Sequence, residues 1–139
     1  MSAAVPPRRP TVHVSIDVPE LEAGLRFYQA VFGLIETARP FPTMAILDGN
    51  NLTVCIHQKA AGSRSSTTGD DQRRYDRHWT PVHLDLHVAD LDPVLAQVRA
   101  AGGAIEHEYR TQGPRPTAFC SDPFGNGFCV IADAAQKIE

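Results

Sequence analysis

Two histidines and two cysteines recur at matched places in the chain: His13 with Cys55, then His83 with Cys129. Imidazole and thiolate suit zinc and other borderline or soft cations, so four such side chains meeting at one point would hold a metal tetrahedrally. That outcome requires the two stretches to be related by a pseudo-twofold axis with these side chains facing it. Cysteine is also a small, apolar-like residue often buried in strands, so two thiols packed at equivalent core positions is the competing reading. Asp17, Asp85 and His87 share strand faces with the histidines and are the candidate acid or base groups. His57 shares a face with Cys55 and reads as a hydrogen-bonded pocket residue, while Cys120 falls outside the pattern and reads as a packed thiol.

The elements that must position these residues come from an internal repeat. Thr11 to Glu36 lies over Pro81 to Glu106 without a gap, each residue displaced by 70, with Val12, His13, Val18, Leu21, Leu25, Gly33, Ile35 and Glu36 matched by identical residues. Alternation in His13-Val14-Ser15-Ile16-Asp17-Val18 and in His83-Leu84-Asp85-Leu86-His87-Val88 has the period of a strand with one polar and one apolar face. Apolar residues at helical spacing follow: Leu21, Leu25, Tyr28 and Phe32 in one copy, Leu91, Leu95 and Val98 in the other. Gly33 and Gly103 stand where a left-handed residue would stop each helix. Three short strands then follow in each copy, over 34–38, 43–48 and 51–58, and over 104–109, 116–121 and 127–132. Asp-x6-Cys closes both copies, as Asp48 to Cys55 and Asp122 to Cys129.

The expected fold is therefore α+β, built from two tandem βαβββ modules that share a cleft. The whole chain is one domain: a loose arm over 1–10, a first module over 11–58, a connecting loop over 59–80 and a second module over 81–132. The connecting loop, rich in Ser, Thr, Gly and charge, reads as an exposed linker that can order over the cleft. Its end, from Arg73 to Trp79, is the part expected to touch a ligand or another protomer. The apolar strand faces form the core against the helices, leaving a cup lined by His, Asp, Ser and Cys for a small molecule.

Composition narrows the partners. With 16 acidic and 13 basic residues the net charge is -3, and no predicted helix carries a basic stripe, which excludes the phosphate neutralisation that nucleic-acid binding needs. No apolar run is long enough to span a membrane, and Met1 to Pro10 lacks the apolar centre of a signal peptide, so the expected location is cytoplasmic. Three cysteines make no disulfide framework.

The segments HVSIDVPELEAGLRFYQAVFGL, VHLDLHVADLDPVLAQVRAAGG and FCSDPFGNGFCVI resemble the vicinal oxygen chelate superfamily, which includes glyoxalase I, extradiol dioxygenases, fosfomycin-resistance thiol transferases and bleomycin-binding resistance proteins. The resemblance covers Thr11 to Ala132 apart from the central loop. It implies that the paired modules form a cup-shaped, eight-stranded mixed sheet with helices on the outer face, and a metal held by residues of the first and last strands of each module, with His13 and His83 at the first-strand ligand positions. Cys55 and Cys129 fall where such enzymes usually carry carboxylates, which disfavours the ordinary glyoxalase I reaction, since a thiolate is a poor carbon base. An extradiol-type iron site of two His and one carboxylate would draw its carboxylate from Asp17 or Asp85. Two functions follow. One is a glyoxalase- or dioxygenase-like enzyme acting on a small oxygenated or electrophilic molecule, assisted by divalent Zn, Ni, Mn or Fe on His13, His83 and Cys55 or Cys129. The other is a metal-free protein that binds or sequesters a small molecule, with Phe119, Phe128, Trp79 and Tyr109 as stacking contributors. The resemblance also makes a homodimer the expected assembly.

Overall fold

The computed structural model describes residues 4–5 and 8–133, so the expected arm over 1–10 lies partly outside the described residues. The first module runs β1 (His13–Val18), α1 (Leu21–Phe32), β2 (Ile35–Phe41), β3 (Met44–Asp48) and β4 (Thr53–Gln58). The second repeats it as β5 (Leu84–Val88), α2 (Leu91–Ala100), β6 (Ala104–Tyr109), β7 (Thr117–Ser121) and β8 (Gly127–Ala132). The eight strands are hydrogen-bonded as two four-stranded mixed sheets, one per module, in the orders β1-β4-β3-β2 and β5-β8-β7-β6. In each, the first strand pairs in parallel with the last, and the remaining pairs are antiparallel.

Helix α1 forms because its apolar residues fall on one face, and Leu21, Leu25, Phe27, Tyr28 and Val31 are all buried. The Glu20 side chain accepts from the Ala23 amide at 3.2 Å and starts the helix, while Gly33, at φ +66°, ends it. The second helix departs from the expected stop. It closes at Ala100, and the left-handed residue is Gly102, at φ +91°, rather than Gly103. Gly103 answers a different demand. A Cβ there would stand 2.7 Å from the Ser121 carbonyl oxygen and 2.9 Å from Phe27, so only glycine lets the chain pass this point.

The modules share one core. Phe27 and Phe32 of α1 meet Phe128 of β8 with ring centroids 5.9 and 5.3 Å apart. Burying each such side chain contributes about 1.5–3 kcal/mol, so this seam is a substantial part of what holds the halves together. Beside it the Tyr28 hydroxyl donates to Asp122 Oδ2 at 2.5 Å, and Asp122 also accepts from the amides of Phe124 and Asn126 and from the Asn126 side chain. The buried carboxylate is thus fully partnered, as burial requires.

The connecting segment is ordered as a strap. Arg64 and Gln72 form a bridge, the Gly62 amide donates to the Arg73 carbonyl, and the Arg73 amide donates to the Ser63 carbonyl. Further along, Arg77 and His78 fasten it to the turn at Gly125 of the second module. Among the described residues no helix is long and apolar enough to cross a membrane.

Candidate functional site

Polar residues gather on one face of each sheet because the strand period is two. In the second module the register sets Asp85 beside Cys129 and Cys129 beside Phe119, with His107 next in the same row. His83 sits one residue before β5, and its Nε2 lies 3.1 Å from Asp85 Oδ1. Among the described residues, one group of three or more potential ligands has its donor atoms all within 4.8 Å of one another: His83, Asp85 and Cys129. His13 and Cys55 stand outside it. They lie on paired strands of the first module, where Cys55 is the cross-strand partner of Ser15, and Cys55 is buried while His13 is exposed.

The electrostatics of the triad follow from its half-buried thiol. Burial, then the negative charge of Asp85 and a hydrogen bond to it, push the Cys129 thiol up to about 11. In the free chain Cys129 is therefore a protonated partner of Asp85, and it would lose that proton on ligating a cation. One imidazole, one carboxylate and one thiolate are donors that fit zinc and related divalent ions, and His83 and Asp85 are exposed. Cys120 is buried on the opposite face, where burial raises its thiol to about 12, as befits a packed residue.

The other candidate acid and base groups have partners of their own. The Asp17 carboxylate accepts from Arg73 Nε of the strap at 2.7 Å, and the arginine side chain is only 16% exposed. His87 Nδ1 lies 2.9 Å from Asp133 Oδ1, one row along the face from Asp85. His57 is the cross-strand partner of Asp17.

Two hollows meet at His83. A crevice of about 1010 Å³ between the modules is lined by Ser15 and Asp17 of β1, Tyr28 and Phe32 of α1, the strap at Arg73 and Tyr75, and His83. A smaller hollow of about 240 Å³ lies over the second sheet, with His83, Cys129, Glu106 and Phe119 in its walls. Trp79, Thr80, His83, Gly127 and Phe128 border both. Glu106 receives Arg77 through two nitrogens, at 2.5 and 3.0 Å, and this pairing holds its carboxyl below the usual 4.5. In the sequence Arg77 falls in the stretch expected to touch a ligand or another protomer, but neither it nor Glu106 stands out as a site residue. The signal was there for Glu106, which the repeat matches to Glu36, whereas the Arg77 partnership crosses an aperiodic loop that gives no register.

The glyoxalase-like domain family matches residues 13–131. The chain belongs to this family, within the vicinal oxygen chelate superfamily. Comparison with curated proteins gives no match. Among solved structures, this glyoxalase-like chain is similar to the fosfomycin resistance protein FosX of Listeria monocytogenes, at 18% identity and TM-score 0.68, covering 91% of this chain and 95% of that one. A mutant form of FosX, complexed with Mn(II) and 1S,2S-dihydroxypropylphosphonic acid, gives 18% identity and TM-score 0.66, with 88% of each chain covered. Lactoylglutathione lyase of Agrobacterium tumefaciens gives 18% identity and TM-score 0.61, covering 96% of this chain and 100% of that one. At these identities the likeness is one of fold, and the fold hosts many chemistries.

Proposed function

We propose that this protein acts on a small oxygenated or electrophilic molecule on the polar face of the second module, with a divalent cation held by His83, Asp85 and Cys129. The observation that carries the reading is the approach of these three donors to within 4.8 Å, with His83 and Asp85 exposed to an entering ligand. Such an ion supplies Lewis-acid polarisation of a ligand oxygen. Around it, His87 is oriented by Asp133 and stands ready to carry a proton, whereas Asp17 is engaged by Arg73 and serves to hold the strap. His13 and Cys55 belong to the same reading only across a homodimer, where a second copy would bring them to the open side. The three free cysteines accord with a cytoplasmic setting.

Elemental analysis of protein purified without added ions tests the proposal. The expected result is about one divalent metal per chain, lost in His83→Ala and in Cys129→Ser, because ligand loss removes most of the binding free energy. Protein that is metal-free as purified and takes up no zinc, nickel, manganese or iron would sink it. The large crevice, with Tyr28, Phe32 and Trp79 in its walls, would then favour the metal-free binding reading.

A further inference from the structure

Phe119 is at odds with its surroundings. It is a large apolar side chain left 42% exposed at the middle of β7, with Cys129 and His107 as its cross-strand partners. In register it is the direct cross-strand partner of Cys129, so the two side chains rise from the same face about 5 Å apart. It is also one of a packed series of rings: Tyr109 meets Phe119 edge-on with centroids 5.3 Å apart, and His107 meets Tyr109 at 4.3 Å. Edge-on packing fixes the Phe119 ring before any ligand arrives, so little ordering entropy remains to oppose stacking on it.

Phe119 is moreover the ridge between two hollows. On one side is the hollow of about 240 Å³ that holds His83 and Cys129. On the other is a hollow of about 340 Å³ lined by Tyr109, Gln112, Pro114, Arg115, Thr117 and Ile131, which is ample for a six-membered ring. The donors of the triad thus end at Cys129, and beyond Phe119 the side chains of Tyr109, Pro114 and Ile131 form an apolar wall, with His107 the next polar side chain in the row.

We infer that the ligand of this face carries an aryl group, seated on Phe119 and Tyr109, joined to an oxygenated head that reaches the His83–Asp85–Cys129 triad. This deepens the proposed function and rests on it for the placement of the head. Phe119 is then the residue that sets specificity, and the aryl group is recognised by ring stacking rather than by apolar area alone.

Three 2-hydroxy acids with the same head separate these contributions: lactate has no ring, mandelate has a phenyl ring, and hexahydromandelate has a saturated ring of similar size. Their dissociation constants are measured by calorimetry on zinc-loaded protein, wild type and Phe119→Leu, with zinc stoichiometry read on the same samples. Mandelate is expected to bind about three- to tenfold tighter than hexahydromandelate to wild type, the range of one aromatic pair. In Phe119→Leu that preference should vanish while zinc content and lactate binding stay unchanged. Equal binding of mandelate and hexahydromandelate to zinc-loaded wild type overturns the inference and leaves the metal reading standing. Failure to load zinc overturns the metal reading instead, and the same mandelate-to-hexahydromandelate ratio in metal-free protein then decides whether the aryl shelf stands. A change of oligomeric state in Phe119→Leu, seen by sedimentation without loss of the mandelate preference, would assign the residue to an interface between copies and also overturn it.

Discussion

Two places after His13 the chain carries Ser15, and two places after His83 it carries Asp85. Both residues face the closing cysteine of their module across the same parallel strand pair, Ser15 with Cys55 and Asp85 with Cys129. The repeat thus carries one geometry twice, and Ser15 stands in the first copy where Asp85 joins His83 and Cys129 in the second. The same contrast runs through the other repeated positions. Asp48 is exposed and accepts one bond from Thr53, while its counterpart Asp122 is buried and accepts from Tyr28, Phe124 and Asn126. Glu36 pairs with Arg39 inside its own module, whereas Glu106 is taken by Arg77 of the strap. In each case the second copy is the one tied into long-range structure, and the first is the freer version.

The largest effect should come from the unequal aspartates. Asp122→Ala strands the Tyr28 hydroxyl and buried amides, and urea unfolding should show a loss of roughly 3 kcal/mol. Asp48→Ala should cost under about 0.5 kcal/mol, as for an ordinary surface change. Equal losses would mean that the modules use this position alike.

Next comes the ligand difference. Asp85→Ser should lower zinc affinity by at least about 10- to 100-fold, the loss typical even of an outer partner of a metal site. Ser15→Asp should create a second site beside His13 and Cys55, raising zinc uptake in calorimetry from about one to about two per chain. If Ser15→Asp adds no site, the burial of Cys55 and not the missing carboxylate separates the copies.

The paired glycines give a smaller contrast. Gly103→Ala places a methyl group against backbone and Phe27 and should cost about 1–3 kcal/mol in thermal or urea unfolding. Gly33→Ala meets nothing within 4 Å and bears only the left-handed backbone cost, about 1 kcal/mol. The smallest effect concerns pH. Arg77 lowers the Glu106 carboxyl in the folded chain, so its stabilising contribution is complete above the ordinary 4.5 and is lost as acid takes the pH down through the lowered value. Arg77→Gln should flatten the dependence of the urea midpoint on pH in that acidic window.

The repeat made most of the architecture legible, because hydrophobic period and helix stops are local properties of the chain. Strands β6 and β8 fall where the sequence pattern puts them, over 104–109 and 127–132. The misplaced stop at Gly103 shows the limit: two adjacent glycines look alike locally, and only the approach of Phe27 and Ser121 tells which one needs room and which needs a positive φ. The site was half legible for the same reason. His83 and Cys129 stood out by type and repetition, and Asp85 by its place on the polar strand face. Its grouping with Cys129 depends on the register of two strands distant in sequence. Arg73 and Arg77 were visible as charges, but their partners Asp17 and Glu106 are set by the path of a loop without periodicity.

In each sheet the first strand of the module pairs with the last. The order in which the chain can finish folding follows from that connectivity. A module cannot seal until its fourth strand is present, and closure over so long a loop is slow compared with forming the hairpins inside it. The first module is topologically complete at Gln58, but the second waits for β8, which carries both Cys129 and the Phe128 ring that α1 packs against. On a ribosome, then, the polar face of the second module would be assembled last, onto a half already formed, and α1 would present uncovered aromatic surface until β8 arrived.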